Sequence, residues 1–223
     1  MLNKFLLLIW FILRPKYYLH LFSLIKRKFL INHDTTKNSK KAYEWAKENA
    51  TSYINALEKL NINGELVGLD NDSITEGQML EAKSSVKMGG AGHIHLLYDC
   101  VRLLKVRNVV ETGVAYGWSS LAILKALSQN GFGKLYSVDM PYPRKKNEND
   151  VGIVVPQNLR NNWTLIRKPD NPGIISALNK AGGEIDLCHY DSDKSWWGRH
   201  YAYPILWKSL NSKGLFISDD IQD

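Results

Sequence analysis

From residue 106 onward, short apolar runs alternate with segments whose apolar positions repeat at helical spacing. An apolar run bounded by turn residues is typical of a strand that is buried on both faces. Strands that alternate with helices predict right-handed βαβ units around a parallel sheet, which is an α/β domain. The predicted strands are 109–110, 134–139, 163–167, 185–190 and 214–218, and the predicted helices are 121–127, 173–180 and 204–210.

The pattern ahead of this domain predicts a series of helices. Apolar positions recur at helical spacing over 42–60, and a second helix is predicted over 73–87. Ser73 and Glu76 have the spacing of a capping box, which marks the start of that second helix. Glycines then interrupt the chain before a third helical stripe at 94–104. We therefore divide this part of the chain into a helical extension at 34–92 and an α/β domain at 93–223.

Residues 1–33 form a basic and strongly apolar leader. Its run of nine apolar residues, at 5–13, is about half of the roughly 20 residues that a membrane-spanning helix needs. Arg-Pro-Lys at 14–16 follows, where a cleaved signal peptide would need small residues. Further on, aromatic and basic residues at helical spacing favour a helix that contacts an anionic membrane surface through residues 1–30. Two alternatives stay open: a helix packed on the domain or on a second subunit of a homodimer, and a true signal anchor.

The leader also accounts for most of the net charge. The 223 residues carry a formal charge of +7, and six basic residues precede the first acidic residue, Asp34, so the remainder is nearly neutral. A nucleic-acid interface needs a basic face on the folded domain, and nucleic acid is therefore not an expected partner. Cys100 and Cys188 lie in apolar segments without metal-binding spacing, which predicts buried free thiols and fits a reducing cytoplasm.

The residues with chemical potential collect where the predicted strands end, and ligands of open α/β sheets bind beyond the carboxyl ends of the strands. The loop after the first strand reads Glu-Thr-Gly-Val-Ala-Tyr-Gly at 111–117. It has neither the GxGxxG pattern of a dinucleotide site nor the Gly-Lys-Ser/Thr of a P-loop. A tight turn at a helix start still favours a carboxylate or a phosphate. The other residues at these strand ends are Ser119, Ser120, Asp139, Asp191, Asp219 and Asp220.

The loop resembles the first motif, E-x-G-x-x-x-G, of the class I S-adenosylmethionine (SAM)-dependent methyltransferases. Asp139, at the end of the next strand, matches the acid that binds the ribose hydroxyls in that family. The resemblance covers about residues 90–223 and implies a Rossmann-like, doubly wound, mostly parallel sheet with SAM as the cofactor. The cofactor-binding residues that it implies are Glu111, Gly113, Ala115, Gly117, Ser119, Ser120 and Asp139.

The second half of the chain resembles a bacterial branch of small-molecule and sugar O-methyltransferases, through the segments 190–196 and 217–221. In that branch and in the related catechol-type enzymes, one acid after the fourth strand and two after the fifth can bind a divalent metal. Asp191, Asp219 and Asp220 occupy these positions. Hard oxygen ligands suit Mg²⁺, which would orient the hydroxyls of a substrate. The alternative is that these carboxylates act as bases or cap helices.

Methyl transfer to oxygen requires close approach and removal of a proton, and Asp191 and Lys194 are the predicted catalytic residues. The branch often has a histidine where this chain has Lys194, and a lysine is ordinarily protonated. Asp191 or a metal-bound hydroxyl is therefore an alternative base, and Lys194 an alternative group for orienting an acidic substrate. Further candidates, for which structural roles are alternatives, are His189, His200, Trp196, Trp197 and Tyr201.

The sequence thus predicts a cytoplasmic SAM-dependent O-methyltransferase that its leader holds at the inner face of the membrane. The predicted acceptor is a sugar hydroxyl on a lipid-linked saccharide or a surface-polysaccharide precursor. The rivals are an NAD-dependent oxidoreductase and a catalytically inactive SAM-binding relic. The family's sheet has seven strands, and this chain ends directly after the fifth, so strands 6 and 7 are expected in roughly 30–50 further residues.

Overall fold

The computed structural model describes residues 2–144 and 147–222, and its side chains from residue 6 onward. Lys4 and Phe5 of the leader therefore have no described side chains, and residues 145–146 of a polar loop lie outside the description. No helix within the described ranges has the length and apolar character needed to cross a bilayer.

Five strands of the described residues form the central sheet: β1 (Asn108–Thr112), β2 (Lys134–Val138), β3 (Trp163–Ile166), β4 (Ile185–Tyr190) and β5 (Leu210–Ser218). Their order across the sheet is β3-β2-β1-β4-β5. Every strand pair is parallel, and the central strand β1 pairs with β2 on one side and β4 on the other. The predicted α/β fold with a Rossmann-like, doubly wound parallel sheet is confirmed.

Helices precede the sheet and connect its strands. The last helix and the last strand begin earlier than predicted, at Trp196 and Leu210, and Pro204 lies inside that helix. The helices of the described ranges are α1 (Leu2–Ile12), α2 (Tyr18–Arg27), α3 (Thr36–Asn49), α4 (Tyr53–Lys59), α5 (Asn71–Glu81), α6 (Ile94–Leu104), α7 (Trp118–Asn130), α8 (Asp170–Ala181) and α9 (Trp196–Ser209).

Both faces of the sheet are covered by packed side chains. Successive residues of β1 point to opposite faces and therefore belong to different cores. Val109 belongs to a core that also contains Leu124 of α7. Val110 belongs to a second core, which contains Ile174 of α8. A strand covered on both faces favours apolar side chains at consecutive positions, as at Val109 and Val110, whereas Glu111 and Thr112 of the same strand are buried polar residues.

The helical extension differs from its predicted boundaries. The single helix predicted over 42–60 is two helices, because the Ser52 hydroxyl accepts a backbone hydrogen bond and caps α4. The capping box predicted at Ser73 is wrong. The Asp70 carboxylate caps α5 instead, by accepting the Ser73 amide at 2.8 Å, and the helix ends at Glu81, earlier than predicted.

The leader folds back over the carboxyl edge of the sheet. Phe11 and Tyr17 are buried, and the ring of Tyr17 stacks on Trp10 with 5.2 Å between centroids. The Asp34 carboxylate accepts the Trp196 backbone amide at 2.8 Å, which ties the end of the leader to the start of α9. The leader therefore packs on its own domain, and its predicted contact with an anionic membrane surface stays a prediction.

Both cysteines are free and buried, as predicted. Burial, with a contribution from the charge of Asp99, raises the pKa of Cys100 to about 12. Burial also raises the pKa of Cys188. Neither thiol is activated for chemistry.

Candidate active site

The carboxyl ends of the parallel strands open into one large cavity. Its volume is about 910 Å³, and Gly113, Asp139 and Asp191 line it from the ends of β1, β2 and β4. Residues of the leader form the opposite wall. Parallel strands end at the same edge of a sheet, which is why sequence positions far apart meet here.

The turn after β1 depends on a glycine at position 113. Gly113 has a φ of +79°, a conformation that glycine adopts without steric cost. Its amide donates to the Val138 carbonyl at 2.8 Å. A Cβ at this position would overlap the backbone carbonyl of Asp191. The turn therefore passes close to the end of β4 only because residue 113 has no side chain.

The two other predicted loop residues have different roles. Ala115 lines the large cavity, and its amide donates to Asp139 Oδ2 at 3.2 Å. Gly117 does not line the large cavity, and its predicted contact with the cofactor stays a prediction. A Cβ at Gly117 would lie 2.9 Å from the Cα of Gly152. Its missing side chain thus allows a following loop to pack against the start of α7.

A second, smaller cavity of about 40 Å³ lies beside the same turn, at the N-terminus of α7. It shares Ala115 and Asp191 with the large cavity, so the two cavities are adjoining parts of one site. The other polar or glycine-rich parts of its lining include Ser119, His189, Asp219 and the segment 89–93.

Glu111 and Ser120 line neither of these two cavities, and their predicted role as cofactor ligands stays a prediction. Both are buried, and Glu111 Oε2 accepts hydrogen bonds from Ser120 Oγ at 2.5 Å and from Ser137 Oγ at 2.6 Å. Burial favours a higher pKa for Glu111, but the His189 imidazole, 3.7 Å from Oε1, and the hydroxyls of Ser119 and Ser120 hold that pKa below its usual value. These side chains support β1 and α7 from inside the core.

Asp139 follows β2 as predicted and lines the large cavity. Its side chain is only 11% exposed, and this burial raises its pKa to about 6. The Arg167 guanidinium, 3.5 Å away, and the Ala115 amide act in the opposite direction without overcoming the effect of burial. Ligand hydroxyls that donate to this carboxylate would stabilise its ionised form.

Lys194 lies among the acids that were predicted to bind a metal. Its Nζ forms ion pairs with Asp191 Oδ1, at 3.6 Å, and with Asp220 Oδ2. Asp219 Oδ1 accepts the Asp220 amide at 2.9 Å. Within the described residues, no group of three or more His, Cys, Asp or Glu is arranged to hold a metal ion. The predicted metal set of Asp191, Asp219 and Asp220 does not fit a divalent metal here, because an ammonium group pairs with two of its members.

The aromatic candidates are divided between two cavities. Trp197 lines the large cavity. Trp196 and His200 stack with 4.3 Å between ring centroids and line a separate cavity of about 650 Å³. The Tyr201 hydroxyl lies 3.5 Å from the Asn171 carbonyl oxygen. Of these four candidates, Trp197 is therefore the one that is placed to contact a ligand in the large cavity.

Arg27 and Asp193 belong to the site, although the sequence gives no sign of it. Arg27 Nη1 lies 2.5 Å from Asp193 Oδ2, and Asp193 Oδ1 accepts the Ser195 hydroxyl at 2.6 Å. Arg27 and Asp193 are 166 positions apart, and Arg27 sits in a basic run that is equally typical of a membrane-binding helix. Only the fold brings the two charges together.

Comparisons with known proteins agree with this architecture. A family model described as a methyltransferase domain matches residues 110–221. The fold is similar to that of the SAH-bound methyltransferase PaMTH1 from Podospora anserina, with a TM-score of 0.50 and 14% identity over 85% of this chain and 72% of that chain. It is also similar to the O-methyltransferase TomG from Streptomyces achromogenes, involved in tomaymycin synthesis and solved in complex with SAM, with a TM-score of 0.52 and 16% identity over 69% of this chain and 67% of that chain. No curated protein sequence matches the chain significantly.

Proposed function

The chain belongs to the methyltransferase-domain family, and we propose that it transfers a methyl group from SAM to a hydroxyl oxygen. The observation that carries the proposal is the pair of adjoining cavities at the carboxyl edge of the sheet, which meet at Ala115 and Asp191. A methyl donor with a nucleoside end and an amino-acid end suits two connected compartments of unequal size. An oxygen acceptor is favoured because Asp191, which lines both cavities, has a carboxylate that can accept the proton of a hydroxyl group.

The residues of the two cavities suit the two ends of SAM. When bound, SAM supplies an electrophilic methyl group on a positively charged sulfur. In the large cavity, the Asp139 carboxylate would accept hydrogen bonds from the ribose hydroxyls. In the small cavity, Ser119 at the N-terminus of α7 suits the carboxylate of the amino-acid end, and Asp219 suits its amino group. Gly113 and Ala115 form the turn between the two ends.

Asp191 is the group that we assign as the proton acceptor. Burial raises its pKa, as does the charge of Asp219, against the opposing charges of His189 and Lys194, and a higher pKa makes it a stronger base. The acceptor oxygen takes the methyl group, the bond between that group and sulfur breaks, and the hydroxyl proton passes to Asp191. Lys194, which pairs with Asp191 at 3.6 Å, is a positioning residue in this assignment.

For the acceptor we propose a sugar hydroxyl on a lipid-linked saccharide or a surface-polysaccharide precursor, methylated at the cytoplasmic face of an anionic membrane. Trp197 in the large cavity supports the sugar, because aromatic rings pack well against sugar rings. The outer side of α2 supports the membrane. Leu19 and Phe22 are 83% and 63% exposed there, and Lys26 is exposed near the end of the same helix.

A titration with SAM as a function of pH tests the cofactor assignment. Ribose hydroxyls donate to the ionised Asp139 carboxylate, whose pKa of about 6 in the free protein means that affinity is lost as the pH falls through 6. We expect binding to be about tenfold weaker at pH 5 than at pH 7.5. Asp139→Asn should weaken binding at pH 7.5 by about tenfold and flatten the pH profile, whereas Asp72→Asn, on an exposed turn of α5, should change neither.

The same titration with NAD separates the proposal from its main rival. We expect heat from SAM and from its product SAH, and none from NAD. Binding of NAD without binding of SAM would refute the methyltransferase proposal. A SAM affinity whose pH profile is the same in the wild-type chain and in Asp139→Asn would refute the role given to Asp139.

A further inference from the structure

The wall of the large cavity that faces the sheet edge is built by the leader. Its lining residues there include Leu7, Phe11, His20, Leu24, Arg27 and Lys28. Phe11 is only 2% exposed, so this part of the leader is an integral part of the fold. The cavity that begins at the SAM-binding turn therefore ends against α1 and α2.

Three contacts hold the leader above the segment that carries the proposed base. Arg27 pairs with Asp193, two residues beyond Asp191. The Trp197 indole donates to the Ile31 carbonyl at 3.3 Å, and the Asp34 carboxylate accepts the Trp196 amide. An acceptor that reaches Asp191 from the leader side must therefore lie between the leader and residues 191–197.

The two walls of this space differ in chemistry. Asp139 and Asp191 place carboxylates on the sheet side, whereas the leader side carries the apolar side chains of Leu7, Phe11 and Leu24 beside the polar side chains of His20 and Arg27. Lys28 adds a cation at the leader wall, where a phosphate between a polar head and a hydrocarbon chain would be neutralised. A fully polar sugar would leave the apolar wall without a partner, so the space suits an amphiphile.

We propose that α1 and α2 form the hydrocarbon-binding wall of the acceptor site, and that the acceptor is a membrane lipid with its reactive hydroxyl at Asp191. This inference rests on the proposed methyl transfer and specifies its substrate class. The inner side of α2 contacts the lipid chain through Leu24, while its outer side, with Leu19 and Phe22 exposed, contacts the bilayer. The leader is thus both the membrane contact and a wall of the active site.

Two leucines of α2 allow a matched test, because one lines the cavity and the other is 83% exposed. The full chain is titrated with methyl, octyl and decyl β-glucoside below their micellar concentrations, with and without SAH. We expect the decyl compound to bind at least tenfold more tightly than the methyl compound. Leu24→Gln should remove most of this difference, and Leu19→Gln should leave it intact. Leu24→Met, which keeps an apolar wall, should behave as wild type and controls for folding.

Binding to phosphatidylglycerol vesicles should show the opposite pattern. Leu19→Gln is expected to weaken vesicle binding several-fold, and Leu24→Gln to leave it nearly unchanged. A glucoside affinity that does not depend on chain length would overturn the proposal. Equal losses of glucoside affinity in Leu24→Gln and Leu19→Gln would overturn it as well. SAM affinity measured on the same variants keeps the outcomes separate: if wild type binds SAM but glucoside affinity shows no dependence on chain length, this inference fails while the methyltransferase assignment stands. If SAM does not bind, that assignment fails whatever the glucosides do.

Discussion

Gly113→Ala is expected to abolish SAM binding and to lower the free energy of unfolding by about 2 kcal/mol or more. The added Cβ would overlap a backbone atom, the carbonyl oxygen of Asp191, and no side-chain rotation relieves such an overlap. The φ of +79° adds the strain that any L-residue has in this region. The turn and the end of β4 must therefore separate, which displaces the cofactor turn and the proposed base together. Denaturant unfolding and a SAM titration measure the two effects.

Gly131 provides the control for backbone strain. It has nearly the same conformation, with a φ of +78°, but a Cβ there would meet none of the described atoms within 4 Å. Gly131→Ala should therefore cost only about 1 kcal/mol of stability and leave SAM affinity unchanged. If Gly113→Ala and Gly131→Ala have the same stability and the same SAM affinity, then the close packing of residue 113 against the end of β4 is not important for the site.

Asp191→Asn is expected to lower kcat at least 100-fold while SAM affinity changes only a few-fold. The amide has nearly the shape of the carboxylate but cannot accept the hydroxyl proton. Because Asp191 must be ionised to act, and burial raises its pKa, wild-type kcat should fall toward acidic pH. Initial rates with labelled SAM over a pH series measure this dependence, and the residual rate of the variant should lack it.

Asp220→Asn tests whether kcat depends on the ion pairs of Lys194 or on Asp191 as the proton acceptor. This change removes one carboxylate partner of Lys194 and leaves Asp191 in place. We expect less than a tenfold loss of kcat. A loss as large as that of Asp191→Asn would mean that the acids and Lys194 act as one unit, and the assignment of Asp191 as the base would be wrong.

The sheet was predictable from the sequence because its signals are local. Val109 and Val110 form a short apolar run that leads into a turn with glycine, and such runs indicate a strand whatever the rest of the chain does. The acids at the strand ends were predictable for a related reason: once the strands are parallel, their ends share an edge. Asp139 and Asp191 accordingly line the cavity, as expected.

What the sequence could not reveal depends on the direction of side chains and on distant partners. Glu111, Gly117 and Ser120 lie in or beside the recognised motif, yet they pack beneath the turn, because a motif gives position along the chain and not orientation. The role of Arg27 depends on Asp193, a partner that no local pattern specifies. The ion pairs of Lys194 with two of the predicted metal ligands also form only in the fold.

The most direct test of the proposed function is methyl transfer itself. The full chain is incubated with SAM labelled on its methyl group and with two sets of acceptors: a membrane glycolipid extract and soluble sugars. We predict acceptor-dependent formation of SAH, with label appearing in base-stable ether linkage on a glycolipid hydroxyl in equal amount. Tight binding of SAM without SAH formation across both sets would contradict the proposal and identify the chain as a binding relic.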